Sequence, residues 1–195
     1  MNAYDFDDTI YAGESAFDFF KFCLKKDKKL YLYFPIVLFR LIEYKLNLSS
    51  IEKISKTVEK IVSKFINKYI NEIDEITKQF WNKNYKKIKP TFIKKLKKED
   101  LIITGCPDFL INYIKEDLKV ENIICTKFNF ETKKLDFLCL GENKVKAFNK
   151  EFKNKKIEKF YTDSLMDVPF MKYAKEVYLV KGNKCIKIDK KKYIK

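Results

Sequence analysis

From Leu101 to the C-terminus, short apolar runs alternate with stretches of helical periodicity, and no other feature of the chain restricts its fold so much. Leu101-Ile-Ile-Thr104, followed by Gly105-Cys-Pro107, has the texture of a buried strand meeting a turn. Phe109 to Leu118 reads as helix, Asn122 to Thr126 as strand, and Lys127 to Leu140 as a hairpin around Glu131-Thr-Lys-Lys. Val145 to Phe152 is again helical, Ile157 to Tyr161 is a strand ending at Thr162-Asp163, and Val177 to Val180 is a last strand before a Lys-rich tail. Strands separated by helices predict an α/β fold built on a parallel sheet.

The N-terminal part has a different texture. Ala3-Tyr4-Asp5-Phe6-Asp7 alternates as a short strand does, which puts Asp5 and Asp7 on the same side. Ser15, with Asp18 three residues on, reads as a helix cap opening the apolar run Phe17 to Leu24. Leu30 to Leu46 is a second helical segment. Ser49-Ser-Ile-Glu52 has the capping-box pattern, and Ile51, Ile54, Val58, Ile61, Val62, Phe65 and Ile66 follow at helical spacing. Ile70, Ile73, Ile76, Phe80 and Trp81 continue the periodicity, and a Lys-rich helix follows Pro90. Residues 14–86 are therefore expected to form an inserted helical cap, and residues 1–13 with 87–195 an α/β core.

Composition removes whole classes of chemistry. There is no His, so His-based triads, HExxH zinc sites and phosphohistidine transfer are excluded. The four glycines, Gly13, Gly105, Gly141 and Gly182, stand too far apart for a phosphate-binding glycine loop. Arg40 is the only Arg, and none of the five cysteines has one just downstream, as a Cys-nucleophile phosphatase needs. The net charge of +15 is attractive to polyanions, but it is carried by Lys scattered along the chain and not by the Arg that reads guanine or phosphate edges. It predicts weak steering of an anion and no specific nucleic-acid partner. Five cysteines in no paired spacing suit free thiols, and the acidic MNAYDFDDTI is unlike a signal peptide, so a cytoplasmic location is expected. The greasiest stretch, Leu30 to Ile42, is shorter than the ~20 residues of a membrane span and reads as a buried or interfacial helix, with a buried cap helix as the expectation. If exposed, it would favour lipid.

Sites in such sheets form at the carboxyl ends of strands, where this chain carries Asp5 and Asp7, Thr104, and Asp163 with Asp167. Four carboxylates meeting in one pocket repel each other unless a cation sits among them. An all-oxygen set without His or Cys suits Mg²⁺, and Thr104 with Lys144 would complete a phosphate cage. Lys146 competes with Lys144 for that place, Asp8 and Thr9 suit a turn, Ser164 suits a turn, and Asp108 a helix cap.

DFDDT at 5–9, LIIT at 101–104, GENK at 141–144 and TDSLMD at 162–167, in this order on α/β texture, resemble the four motifs of the haloacid dehalogenase-like superfamily of phosphatases. CLGENKV and YTDSLMDVP also look like its phosphatidylglycerophosphatase-type branch, and the helical insert stands where phosphoserine phosphatases carry a cap. The resemblance implies a Rossmann-like core with an all-helical cap and a Mg²⁺-dependent phosphomonoester hydrolase. It implies Asp5 as nucleophile, Asp7 as general acid and base, and Thr104, Gly105 and Lys144 on the phosphoryl oxygens. Asp5, the Asp7 carbonyl and Asp163 would ligate Mg²⁺, supported by Asp167. Glu14 stands where phosphoserine phosphatases carry a substrate-binding acid, though a plain hinge at the helix start explains it as well. Thr162 replaces the family's frequent Gly, and TGCPDF departs from the SGGF of phosphoserine phosphatases. The expected substrate is a small phosphate ester. The alternatives are a lipid phosphate, with peripheral membrane contact, and a basic phosphoanion- or nucleic-acid-binding protein without turnover.

Overall fold

The structure, a computed structural model, describes residues 1–45, 48, 50–153 and 155–194. The chain enters through β1 (Ala3–Tyr4) and makes a helical excursion of α1 (Ser15–Leu24), a 3-10 segment at Lys28–Tyr33, α2 (Phe34–Lys45), α3 (Ile51–Tyr69), α4 (Ile73–Asn84) and the single turn α5 (Pro90–Ile93). It then alternates: β2 (Leu101–Pro107), α6 (Asp108–Tyr113), α7 (Lys115–Leu118), β3 (Asn122–Asn129), β4 (Lys134–Phe137), α8 (Glu142–Glu151), β5 (Ile157–Thr162), α9 (Val168–Met171), β6 (Ala174–Lys181) and β7 (Lys184–Ile188). These strands make one sheet in the order β4-β3-β2-β1-β5-β6-β7. The five central strands are parallel and both edges are antiparallel.

The middle of the sheet, β2 above all, reads as a continuous apolar run because helices cover both of its faces. Alternate residues feed different cores. Tyr4 and Ile102 pack with Phe6, Phe19, Ile76, Phe80 and Trp81 on one side, while Ala3, Leu101, Ile103 and Phe160 pack with Phe148 of α8 and Phe170 of α9 on the other. The register also stacks Tyr4 on Tyr161 at 4.8 Å and Tyr161 on Tyr178 at 5.0 Å, a ladder across three parallel strands. On α4, Ile73, Ile76 and Phe80 recur at helical spacing and are buried, and the Trp81 indole N–H donates to the Leu110 carbonyl at 2.9 Å. That bond seats α4 on α6.

The helical excursion leaves and returns through a narrow neck. Tyr11 pairs with Ile88 in an antiparallel bridge, the Ala12 N–H donates to the Lys87 carbonyl at 2.8 Å, and the Lys89 N–H to the Ile10 carbonyl at 2.8 Å. Asp18 locks this neck from above. Its carboxylate accepts from the Tyr11 hydroxyl at 2.8 Å and pairs with Lys87 at 2.6 Å and Lys21 at 2.7 Å. Asp18 is thus no helix cap: the N-cap position of α1 belongs to Glu14, and Ser15, expected as the cap, is already inside the helix.

Burial alone would raise the Asp18 pKa, but hydrogen bonds from Lys21, Lys87 and Tyr11 leave it below the usual carboxylate range. A carboxylate with a depressed folded-state pKa adds stability above its unfolded pKa and loses it as pH falls through the folded one. Asp18→Asn should therefore cost about 2 kcal/mol in urea unfolding at neutral pH. The gap to wild type should close in acid, below the ordinary Asp range.

Three further expectations need correction. The tail beyond Val180 is not a tail: after a turn at Gly182, whose φ of 59° suits the residue, Lys184–Ile188 adds the edge strand β7. The Leu30–Ile42 stretch is largely exposed among its described side chains: Leu30 is buried, but Tyr31, Leu32, Ile36, Leu38, Phe39 and Ile42 are exposed. The helix expected to follow Pro90 is confined to α5. The capping-box pattern predicts the start of α3 but is off by one residue: the cap is Ser50, which accepts from the Lys53 N–H. Leu46 and Ser49 lie outside the described residues, as do the side chains of Ile51, Ile54, Val58, Val62, Phe65 and Ile66.

Candidate active site

Chain order reverses around β1, with β2 and β3 on one side and β5 and β6 on the other, which opens a crevice beyond its carboxyl end. The Asp5 N–H donates to the Tyr161 carbonyl at 2.8 Å, extending the β1–β5 pairing by one residue and holding the buried Asp5 at the rim. The next residues curl into a tight loop. The N–H groups of Ile10 and Tyr11 both reach the Phe6 carbonyl at 2.8 Å, and the Asp8 carboxylate accepts from the Gly13 N–H at 2.8 Å. Asp8 takes a φ of 48°, which a short polar side chain tolerates, and Gly13 takes 119°, which only glycine does readily. The turn-shaping expectation for Asp8 is met. The Thr9 hydroxyl is buried with no hydrogen-bond partner among the described residues.

The loop aims Asp7 at the start of α1, where Asp7 Oδ1 accepts the Ser15 N–H at 2.6 Å. A carboxylate is well placed there, since the first N–H groups of a helix lack partners within it. Lys144 reaches the same crevice from the first turn of α8, which Gly141 opens with a φ of 49°. Its ammonium lies 2.9 Å from Asp5 Oδ1 and 2.9 Å from Asp167 Oδ1. Asp167 is buried as well, and its Oδ2 accepts from the Thr162 hydroxyl at 2.8 Å. That contact explains the unexpected Thr162, which holds Asp167 in place and accepts the Ser164 N–H at 3.1 Å. Ser164 caps the turn that carries Asp167, its Oγ accepting from the Met166 N–H.

Thr104 ends the regular part of β2, fully buried, with its Oγ accepting the Cys106 N–H at 3.0 Å. The Gly105 carbonyl accepts from the Thr126 hydroxyl at 2.8 Å, and a Cβ at Gly105 would meet the Leu140 side chain at 2.7 Å. Asp108 Oδ1 accepts the N–H groups of Phe109 and Phe128, so it links the start of α6 to β3. Lys146 is exposed, and Arg40, the chain's one guanidinium, pairs with Glu43 on α2. The motif pattern does not point to Lys89. Its buried ammonium donates to the Asp8 carbonyl at 2.5 Å and the Gly182 carbonyl at 2.9 Å, clamping the loop to the β6–β7 turn. A Lys just before Pro90 carries no sequence signal for that role.

The charges in the crevice are out of balance. Burial pushes the Asp5 carboxyl well above its usual range; Lys144 pulls it back, and Asp167, Asp163 and Asp7 raise it again. Burial raises Asp7 to about 7, against the Ser15 hydrogen bonds and with the help of Glu14. Asp163 rises to about 6 through burial, Glu14, Asp167 and Asp8. Burial would lower Lys144, yet Asp167 and Asp5 hold it well above the ordinary Lys value. Glu14 thus lies within electrostatic reach of both Asp7 and Asp163. One ammonium does not neutralise this group of carboxylates, and a hard divalent cation fits what is left over. Among the described residues no three His, Cys, Asp or Glu side chains form a ready-made cage. Mg²⁺ needs none, because it keeps several waters and takes one or two carboxylates plus substrate phosphate.

A family model described as haloacid dehalogenase-like hydrolase matches residues 3–172. The chain belongs to that family. Among solved structures, this haloacid dehalogenase-like hydrolase resembles a protein of unknown function from Bordetella pertussis Tohama I, with a TM-score of 0.67, 13% identity, and coverage of 88% of this chain and 85% of that one. It also resembles a phosphoserine phosphohydrolase-like protein from Francisella tularensis, with a TM-score of 0.51, 20% identity, and coverage of 91% and 86%. At these identities the likeness bears on the fold. No curated protein matches the sequence.

Proposed function

We propose that this haloacid dehalogenase-like hydrolase is a Mg²⁺-dependent phosphomonoester hydrolase that works through an aspartyl-phosphate on Asp5. The observation that carries the reading is the buried ammonium of Lys144, shared at 2.9 Å between Asp5 and Asp167 where β1 ends. A buried cation beside a buried carboxylate works against the burial that raises its pKa, which favours the ionised form that attacks, and offers a charge to phosphoryl oxygens.

In this reading an Asp5 oxygen forms a bond to phosphorus while the ester P–O bond breaks, and Asp7 protonates the departing alkoxide. Asp7 then takes a proton from the water that attacks the same phosphorus, which releases phosphate and regenerates Asp5. Asp7 is suited to both halves because its pKa, near 7, leaves either form accessible at neutral pH. Thr104 spends its lone pair on the Cys106 N–H and keeps its own proton for a phosphoryl oxygen, beside Gly105 and Lys144. Asp5, the Asp7 carbonyl and Asp163 would hold Mg²⁺, with Asp167 in support; bound there, the ion supplies charge neutralisation at the phosphoryl group. Residues 14–86 act as a cap over the crevice, and Glu14 meets the substrate from it. The substrate is a small phosphate ester, and the reducing cytoplasm suits five cysteines that are all free.

Hydrolysis of a generic aryl phosphate tests the reaction class. Turnover with added Mg²⁺ should fall to background when a chelator is added and return when Mg²⁺ is restored. Salt-sensitive binding of phosphoanions with no turnover under either condition would favour the non-catalytic binding protein instead.

One observation favours a second reading, a lipid phosphate as substrate: the apolar stretch expected to be buried lies largely on the surface.

A further inference from the structure

The exposed residues of the helical excursion are arranged, not scattered. At 3.6 residues per turn, Leu38, Ile42, Pro35, Phe39 and Ile36 fall in that angular order over an arc of roughly 160° of α2. All five are exposed, Phe39 at 58% and Ile42 at 48%. The 3-10 segment before α2 adds Tyr31 and Leu32, the latter at 78%. Glu43 also falls in this arc, between Phe39 and Ile36, with its carboxylate paired to Arg40; isolated exposed apolar residues are ordinary on soluble proteins, but a patch of five on one helix marks a surface that meets something.

The flank of the patch says what. Lys25, Lys26, Lys28 and Lys29 follow α1 directly, and all four are exposed. Among the described side chains of α2 the one cation, Arg40, is paired with Glu43, so the positive charge that flanks the patch is that of these lysines on the approach to the helix. An apolar helix face beside a cluster of exposed lysines matches the interface of a bilayer with anionic headgroups, where side chains enter the acyl boundary and ammonium groups stay among phosphates. The element is the wrong length for anything deeper. Twelve residues of α2 span about 18 Å, against roughly 30 Å of hydrocarbon. No helix among the described residues is long and apolar enough to cross a membrane.

We propose that the 3-10 segment and α2 form a docking surface for an anionic lipid bilayer, on which the protein lies without spanning it. The packing connects this surface to the crevice. Phe34, the first residue of α2, packs at 6.0 Å from Phe17 and 6.5 Å from Phe20, both on α1, the helix whose first N–H holds Asp7. Lys68 fixes the other side, pairing at 2.6 Å with Asp27, which caps the 3-10 segment. The surface does not depend on the phosphatase reading, since binding needs no turnover.

The test is co-sedimentation of the full chain with vesicles of phosphatidylcholine, with and without phosphatidylglycerol. The wild type should sediment with the anionic vesicles, much less with the neutral ones, and less again at high salt. The double variant Phe39→Ser/Ile42→Ser should bind at least about tenfold more weakly. It should keep the wild-type turnover of a soluble aryl phosphate, a reading that separates loss of docking from loss of the site or the fold. Failure of the wild type to bind anionic vesicles, or equal binding by the double variant, overturns the proposal. So does a lipid-free dimer in sedimentation velocity that the double variant abolishes, because the patch would then be covered by a second copy of the chain.

Discussion

Asp5→Asn should lower aryl phosphate turnover by at least about four orders of magnitude, because an amide forms no acyl phosphate under these conditions and nothing else in the crevice replaces the nucleophile. The variant should still fold. Asn matches Asp in shape, and the native Asp5 carboxyl is itself pushed well above its usual range by burial and by Asp167, Asp163 and Asp7, so the neutral side chain relieves repulsion. Steady-state kinetics paired with urea unfolding checks both halves. Residual Mg²⁺-dependent turnover within tenfold of wild type would remove Asp5 from the reaction and with it the covalent mechanism.

Lys144→Met should damage both activity and stability. The side chain is almost wholly buried and is the cation found at 2.9 Å from both Asp5 and Asp167, so its loss strands two carboxylates away from water. Removing one partner from such a cluster costs about 3–5 kcal/mol. The sign of the pH dependence follows. A Lys held above its ordinary pKa contributes its full stability at neutral pH, while the raised pKa of Asp5 means that acidification protonates that carboxyl early. The deficit of Lys144→Met in urea unfolding should therefore be largest at neutral pH and shrink as the pH is lowered. A deficit that does not change with pH would mean that the loss comes from packing and not from charge.

The parts of the fold legible in the sequence are those where one physical signal dominates. LIIT and the inner part of NIICT are strand segments buried on both faces, and their apolar runs cannot be solvated as loops; IEKFY, with Glu158 and Lys159 exposed, is readable from its Ile157, Phe160 and Tyr161. The start of α3 is readable to within one residue because capping is local. Asp5, Asp7, Thr104, Lys144, Asp163 and Asp167 can be named from motif order, and Lys144 is separable from Lys146 by its spacing from Gly141. Other features depend on tertiary partners. KCIKI looks like charged tail because Lys alternates with apolar residues on an edge strand half open to water, although Gly182-Asn183 between two alternating runs is a hairpin signal. Lys89 and the backbone N–H of Ser15 find their partners only when separate segments meet. The exposure of α2 is illegible for a different reason: periodicity identifies an apolar face but not what covers it.

The neck formed by Tyr11, Ile88 and their neighbours has a consequence for descent. The chain departs at Ala12 and returns at Lys87 with only 2.8 Å between the bonded atoms, so the sheet sees the whole helical excursion as a closed loop. The entropy of closing a loop grows only logarithmically with its length. Phe19 of α1 and Ile76, Phe80 and Trp81 of α4 are part of the core on the sheet and Ser15 holds Asp7, so those two helices are fixed; lengthening or trimming the segment between them costs little in closure entropy. A lineage can thus keep one set of rim carboxylates while it varies the segment between α1 and α4, and the surface of α2 is a trait of that variable segment.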